Sequence, residues 1–78
     1  MSLDAQSVLQ GRVRSICAER RITSEEIASS LNLAAASFIN KKNGNRKFTV
    51  NELVRLADIF GVSVDYLLGR DDDVIRRW

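Results

Sequence analysis

Apolar residues recur at helical spacing along most of this chain, in runs separated by turn residues. The most regular run is Leu53, Leu56, Ala57 and Phe60, at i, i+3, i+4 and i+7. Thr49 and Glu52, just ahead of it, have the spacing of a capping box. There the hydroxyl accepts an N–H of the first turn, and the carboxylate accepts the cap's own N–H. Gly61 then suits the left-handed residue that closes a helix. Near the start of the chain, Val8, Leu9, Val13 and Ile16 form the inner stripe of a first helix. Ser2 or Asp4 can cap it, and Arg20-Arg21 put cations at the negative end of its dipole.

Between these runs lies the stretch that organises the chain, Thr23 to Gly44. Thr23 and Glu26 are a second capping box, followed by Ile27, Ala28 and Leu31 as the stripe of a short helix. Asn32 accepts the left-handed conformation that ends a helix, and Leu33 can plug the turn. Ala34 to Lys42 is a further helical run with Phe38 pointing inward, and Asn43-Gly44 stops it. A basic loop, Gly44 to Phe48, leads to Thr49. Beyond Gly61, Ser63 caps a short helix from Val64 to Leu68, whose Tyr66, Leu67 and Leu68 are expected to be half-buried, and Gly69 ends it. The pattern predicts five helices and no strand, an all-α domain over residues 1–69 with a charged tail over 70–78.

Composition bounds this picture. Seventy-eight residues allow one domain with a modest core. That length is not expected to hold a separate sensing domain, so any regulation is expected through concentration or a partner. One cysteine cannot form an internal disulfide, which suits an intracellular, cytoplasmic chain. No run approaches a membrane span or a signal peptide. There is no histidine to serve as a general base, no activator for Cys17 and no metal-ligand cluster, so an enzyme, a metal or a small-molecule cofactor is not expected. Asp71-Asp72-Asp73 lacks the spacing of a calcium loop. Net charge is only +2, yet Ala34 to Lys47 carries Lys41, Lys42, Arg46 and Lys47 without an acid, and the first helix adds Arg12, Arg14, Arg20 and Arg21. A local basic surface is the footprint of a phosphate binder, but it is also what an ordinary solvated charged face looks like, and charge alone favours the latter.

Ile22 to Ala28, Leu31-Asn32-Leu33, Phe38, Asn43-Gly44 and Gly61 to Gly69 together resemble the Cro and immunity-repressor type of helix-turn-helix, the XRE-like family. The resemblance spans about Val13 to Gly69. It implies a lambda-repressor-like fold that lays its third helix in the major groove of double-stranded DNA, as a homodimer on a palindromic operator. It places Ala34, Ala35, Ala36, Ser37 and Asn40 toward base edges, where relatives often hold Gln, Ser or Thr. Alanine can meet a thymine methyl; Asn40 has the amide that reads adenine, and Ile39 is exposed on the same register. The resemblance and the charge together make Ser24, Lys41, Lys42, Asn43, Asn45, Arg46 and Lys47 the phosphate contacts.

Four departures from the family pattern stand out. Ala34 replaces the usual hydroxyl cap of the third helix. Lys41 sits where relatives bury an apolar residue, with its amine expected to snorkel to solvent. Cys17 and Lys42 stand where some relatives pair Arg with Glu, so Cys17 is expected to pack and Lys42 to face solvent or phosphate. Tyr66, Val74, Ile75 and Trp78 are expected at a dimer interface, apolar and aromatic groups beside Arg76 and Arg77, the alternative being a tail that folds back on its own subunit or frays. The expected function is a phage Cro-like or repressor-like transcription regulator. A partner-binding antitoxin or a DNA-bending excision factor are the alternatives.

Overall fold

The computed structural model describes residues 4–70, and every regular element within them is helical. These are α1 (Ala5–Arg20), α2 (Ser24–Ser30), α3 (Ala35–Lys42), α4 (Val50–Phe60) and α5 (Val64–Leu67). Four of them open on a side chain. Asp4 accepts the Ser7 N–H at 2.8 Å, and Ser63 accepts the Tyr66 N–H at 2.9 Å. Both expected capping boxes form: Thr23 with Glu26 at the start of α2, Thr49 with Glu52 at the start of α4. Only α3 lacks such a cap; Ala34 has cap geometry, φ −70° and ψ 149°, but no oxygen to offer.

The helix ends are closed by local conformation and by distant arginines. Asn32 and Gly61 take left-handed φ of 61° and 69°, as their residue types allow, and Arg21 joins them at 56°. Arg20 donates to the Phe60 carbonyl at 2.7 Å, Arg55 to the Ser30 carbonyl at 3.2 Å, and Arg14 to the Lys42 carbonyl. Each cation thus sits on the last carbonyls of another helix: α4, α2 and α3 in turn. That pairing satisfies acceptors the helix cannot reach and matches its dipole.

One core joins all five helices. Leu9, Val13, Ile27, Phe38, Leu56 and Leu67 are its largest fully buried side chains, each stabilising the fold by about 1.5–3 kcal/mol. Phe38 lies 6.1 Å, centroid to centroid, from Phe48, a buried loop residue that periodicity does not reveal. Two expectations shift. Val8 is only half-buried, while polar Gln10 beside it is buried. Leu67 is fully buried rather than half-buried. Gly69, at φ 80°, passes so close to α1 that a Cβ there would stand 2.7 Å from Val8 Cγ1. The expected roles of Asp71-Asp72-Asp73, Val74, Ile75 and Trp78 lie outside the described residues.

Candidate nucleic-acid interface

The turn between α2 and α3 is short and closed. Asn32 reverses the chain, and the Leu33 N–H then donates to the Ala28 carbonyl at 2.8 Å. Leu33 packs partly on the core, as its place in the turn suggests. With Phe38 and Lys41 pointing inward, α3 presents Ala36, Ile39 and Asn40 to solvent; Ala34 is exposed just ahead of it, and Ala35 and Ser37 flank the face half-buried. The exposed face therefore carries one amide, one large aliphatic group and a methyl.

Beside this face runs the basic loop, with Asn43 to Lys47 all exposed. Its backbone is far from loose. The Asn45 and Arg46 N–H groups both donate to the Asn40 carbonyl, at 2.9 and 3.3 Å, and the Asn45 side-chain amide reaches Asn40 Oδ1 at 3.5 Å. From α1, Gln10 Nε2 donates to the Arg46 carbonyl at 3.2 Å. Gln6 donates to the Phe48 carbonyl at 3.0 Å and accepts the Phe48 N–H at 2.9 Å. Gln6 and Gln10 escape sequence reasoning; the one signal is that they stand a turn apart beside the apolar stripe of α1.

The cations sort into two groups. Arg46 and Lys47 are exposed on the loop. Lys42 is half-buried, donating to Ser24 Oγ at 3.2 Å with its amine 5.9 Å from the Phe38 ring centroid. That bond ties the start of α2 to the end of α3 and keeps one ammonium beside a hydroxyl. Lys41 departs from expectation. It is 6% exposed, and its amine, instead of snorkelling out, meets both Glu52 oxygens at 2.8 and 2.6 Å. An ammonium that cannot reach water must find a counter-charge, so Lys41 is not exposed alongside Arg46 and Lys47 but bolts α3 to α4. Burial alone would raise the Glu52 carboxyl; the Lys41 hydrogen bond, the Thr49 N–H and the Lys41 charge outweigh it and hold the carboxyl below its ordinary range. The arginines of α1 are likewise not a free basic surface: Arg14 and Arg20 serve helix ends, and the Arg12 guanidinium lies 4.3 Å from the centroid of half-buried Tyr66. Cys17 is buried as a small packed group; burial pushes its thiol up, against the opposing charge of Lys42.

This geometry is two short helices about a closed turn, with the second helix exposing its outer face beside a cationic loop. A family model of the Cro/C1-type helix-turn-helix DNA-binding domain matches residues 12–73. The chain belongs to this family. It is also similar to an uncharacterised HTH-type transcriptional regulator, YobD, of Bacillus subtilis (strain 168). The two are 34% identical over 62 residues, which cover 80% of this chain and 55% of that protein. The chain thus spans about half the length of the curated relative it matches. No solved structure is a significant match. Family membership makes this chain a helix-turn-helix DNA-binding domain. Among the described residues, no group of acidic, cysteine or histidine side chains is placed to hold a metal ion, and no helix is long and apolar enough to cross a membrane.

Proposed function

We propose that this helix-turn-helix domain is a sequence-specific regulator of the Cro-like or repressor-like kind, working in the cytoplasm without catalysis. It inserts α3 into the major groove of a palindromic operator as a homodimer. The observation that carries this is the junction at Asn40. Its side chain lies on the exposed face of α3, and its carbonyl anchors the basic loop through Asn45 and Arg46. The reading group and the phosphate-binding group are therefore built on one residue. Asn40 supplies the amide readout. Ala34, Ala35, Ala36 and Ser37 line the same approach and admit methyl contacts or weak hydroxyl bonds. Ser24, Lys42, Asn43, Asn45, Arg46 and Lys47 meet the backbone, fixing register rather than sequence. Half-sites one helical turn apart call for a second subunit. Tyr66 and the tail residues Val74, Ile75 and Trp78 are the contacts proposed for it.

Selection of bound duplexes from a random pool tests this reading, since it reports binding, site symmetry and half-site spacing together. Asn40→Ala is expected to relax preference at one base pair, at a cost of about 1–3 kcal/mol. Arg46→Ala is expected to weaken all duplexes alike and to reduce the log–log salt slope by about 0.9. If Arg46→Ala changes the selected motif while Asn40→Ala leaves it intact, the two roles are reversed. A chain ending at Gly69, compared with the full chain by analytical ultracentrifugation, tests the dimer contact; an unchanged dimer rules out the tail.

A further inference from the structure

We propose that Gln10 and Gln6 are positioning residues for DNA binding, shaping from α1 the loop that carries Arg46 and Lys47; this rests on the DNA-binding reading above. Gln10 is a polar residue only 7% exposed, at a place where a Leu or Met would fill the same space without an amide to satisfy. The amide is used. Its Nε2 donates to the Arg46 carbonyl, and its Oε1 fits inside the bend at Gly44, 3.4 Å from where a Cβ would stand. Gly44 has φ 91°, so the chain turns there in a conformation that side chains resist and closes around the Gln10 amide. One turn earlier, Gln6 bonds both the N–H and the carbonyl of Phe48, as a neighbouring strand would. The two amides therefore hold Arg46 and Phe48 and bracket Lys47. From the other side, the Asn40 carbonyl holds the N–H groups of Asn45 and Arg46.

The outcome is a loop with its backbone fixed and its cations exposed. A loop that is already ordered need not be ordered at the moment of binding, so affinity rises without any new contact. Gln10 is buried and Gln6 half-buried, so the proposed role is to aim the loop's two cations rather than to touch the duplex.

The test is a cycle. Full-length protein binds a fluorescent mixed-sequence duplex at low salt, well below the melting temperature of every variant. Gln10→Met, which keeps length and burial but loses the donor, is made in the wild type and in an Arg46→Ala/Lys47→Ala background. We expect Gln10→Met to weaken binding about 5–20-fold in the wild type and less than about twofold in the double-alanine background, where no cation remains to aim. Gln6→Ala, at the half-buried rim, is expected to follow the same pattern and serves if Gln10→Met fails to fold. An equal loss in both backgrounds, or none in the wild type, overturns the proposal. A wild type that binds no duplex overturns the DNA-binding reading itself, a different result.

Discussion

Lys41→Met and Glu52→Gln, alone and together, measure the bolt between α3 and α4. The two charges meet at 2.6–2.8 Å, with the side chains 8% and 12% exposed. Unit charges about 4 Å apart attract by about 4 kcal/mol at an effective dielectric near 20, and desolvation offsets much of that. Removing one partner is different, because it strands the other; in buried pairs this costs about 3–5 kcal/mol. Here Glu52 keeps the Thr49 N–H at 2.8 Å and a little water, so Lys41→Met is expected to cost about 2–3 kcal/mol. Glu52→Gln strands the Lys41 ammonium, and about 3 kcal/mol is expected. In the double variant no charge is buried. Met replaces the Lys stem and Gln can still complete the capping box, so its loss should be about 1 kcal/mol. The singles then sum to well over the double, a coupling of at least about 2 kcal/mol. Urea denaturation followed by far-ultraviolet circular dichroism at neutral pH gives all three values. A double loss equal to the sum of the singles, within about 0.5 kcal/mol, refutes the reasoning. The double variant is also expected to keep the wild-type salt slope for DNA. A slope reduced by about 0.9 would return Lys41 to the phosphate contacts.

Three further outcomes follow from local geometry. Ala34→Ser adds an oxygen where the backbone already has cap geometry, and should stabilise by about 1 kcal/mol, seen as a melting temperature about 4–8 °C higher. No rise would mean that the start of α3 is held by something other than its cap. Gly61→Ala should cost about 1–2 kcal/mol, the left-handed penalty alone, since nothing lies within 4 Å of its would-be Cβ. Gly69→Ala adds the collision with Val8 and should cost about 1–3 kcal/mol more, with Val8→Ala recovering part of it in thermal melts; equal costs at the two glycines would contradict the close approach of α1 and Gly69. Acid should weaken the fold through Glu52. Its folded carboxyl is held below the ordinary value of 4.5, so the unfolded chain takes the proton first. The contribution is therefore complete at neutral pH and is lost as pH falls below about 4.5 through the lower folded value. In Lys41→Met this acid loss should shrink in a pH series of urea midpoints, and an unchanged series would show that Lys41 does not set it.

Local sequence determined the helices and their ends. Thr23 with Glu26, Thr49 with Glu52, Asn32 and Gly61 act on groups within three or four residues, so their roles are legible from spacing and residue type alone. The same holds for Phe38, whose burial follows from helical periodicity. The outward side of α3 was legible too, once Phe38 set which side turns inward. Only the tertiary structure decided the partners of long polar side chains. Lys41 looked like a surface cation because nothing near it in sequence says that Glu52, eleven residues on, will close over it. Gln6 and Phe48 are separated by 42 positions, Gln10 and Arg46 by 36, and Arg20 and Phe60 by 40. Periodicity says which face of a helix turns inward but not which residue of another helix it will meet. That meeting is set by how the five apolar faces close on one core, and the buried amides and cations then take whichever carbonyl or carboxylate the packing brings within 3 Å or so. The basic composition of the loop was written in the chain, while its shape came from the Gln6 and Gln10 amides of α1 and the Asn40 carbonyl of α3.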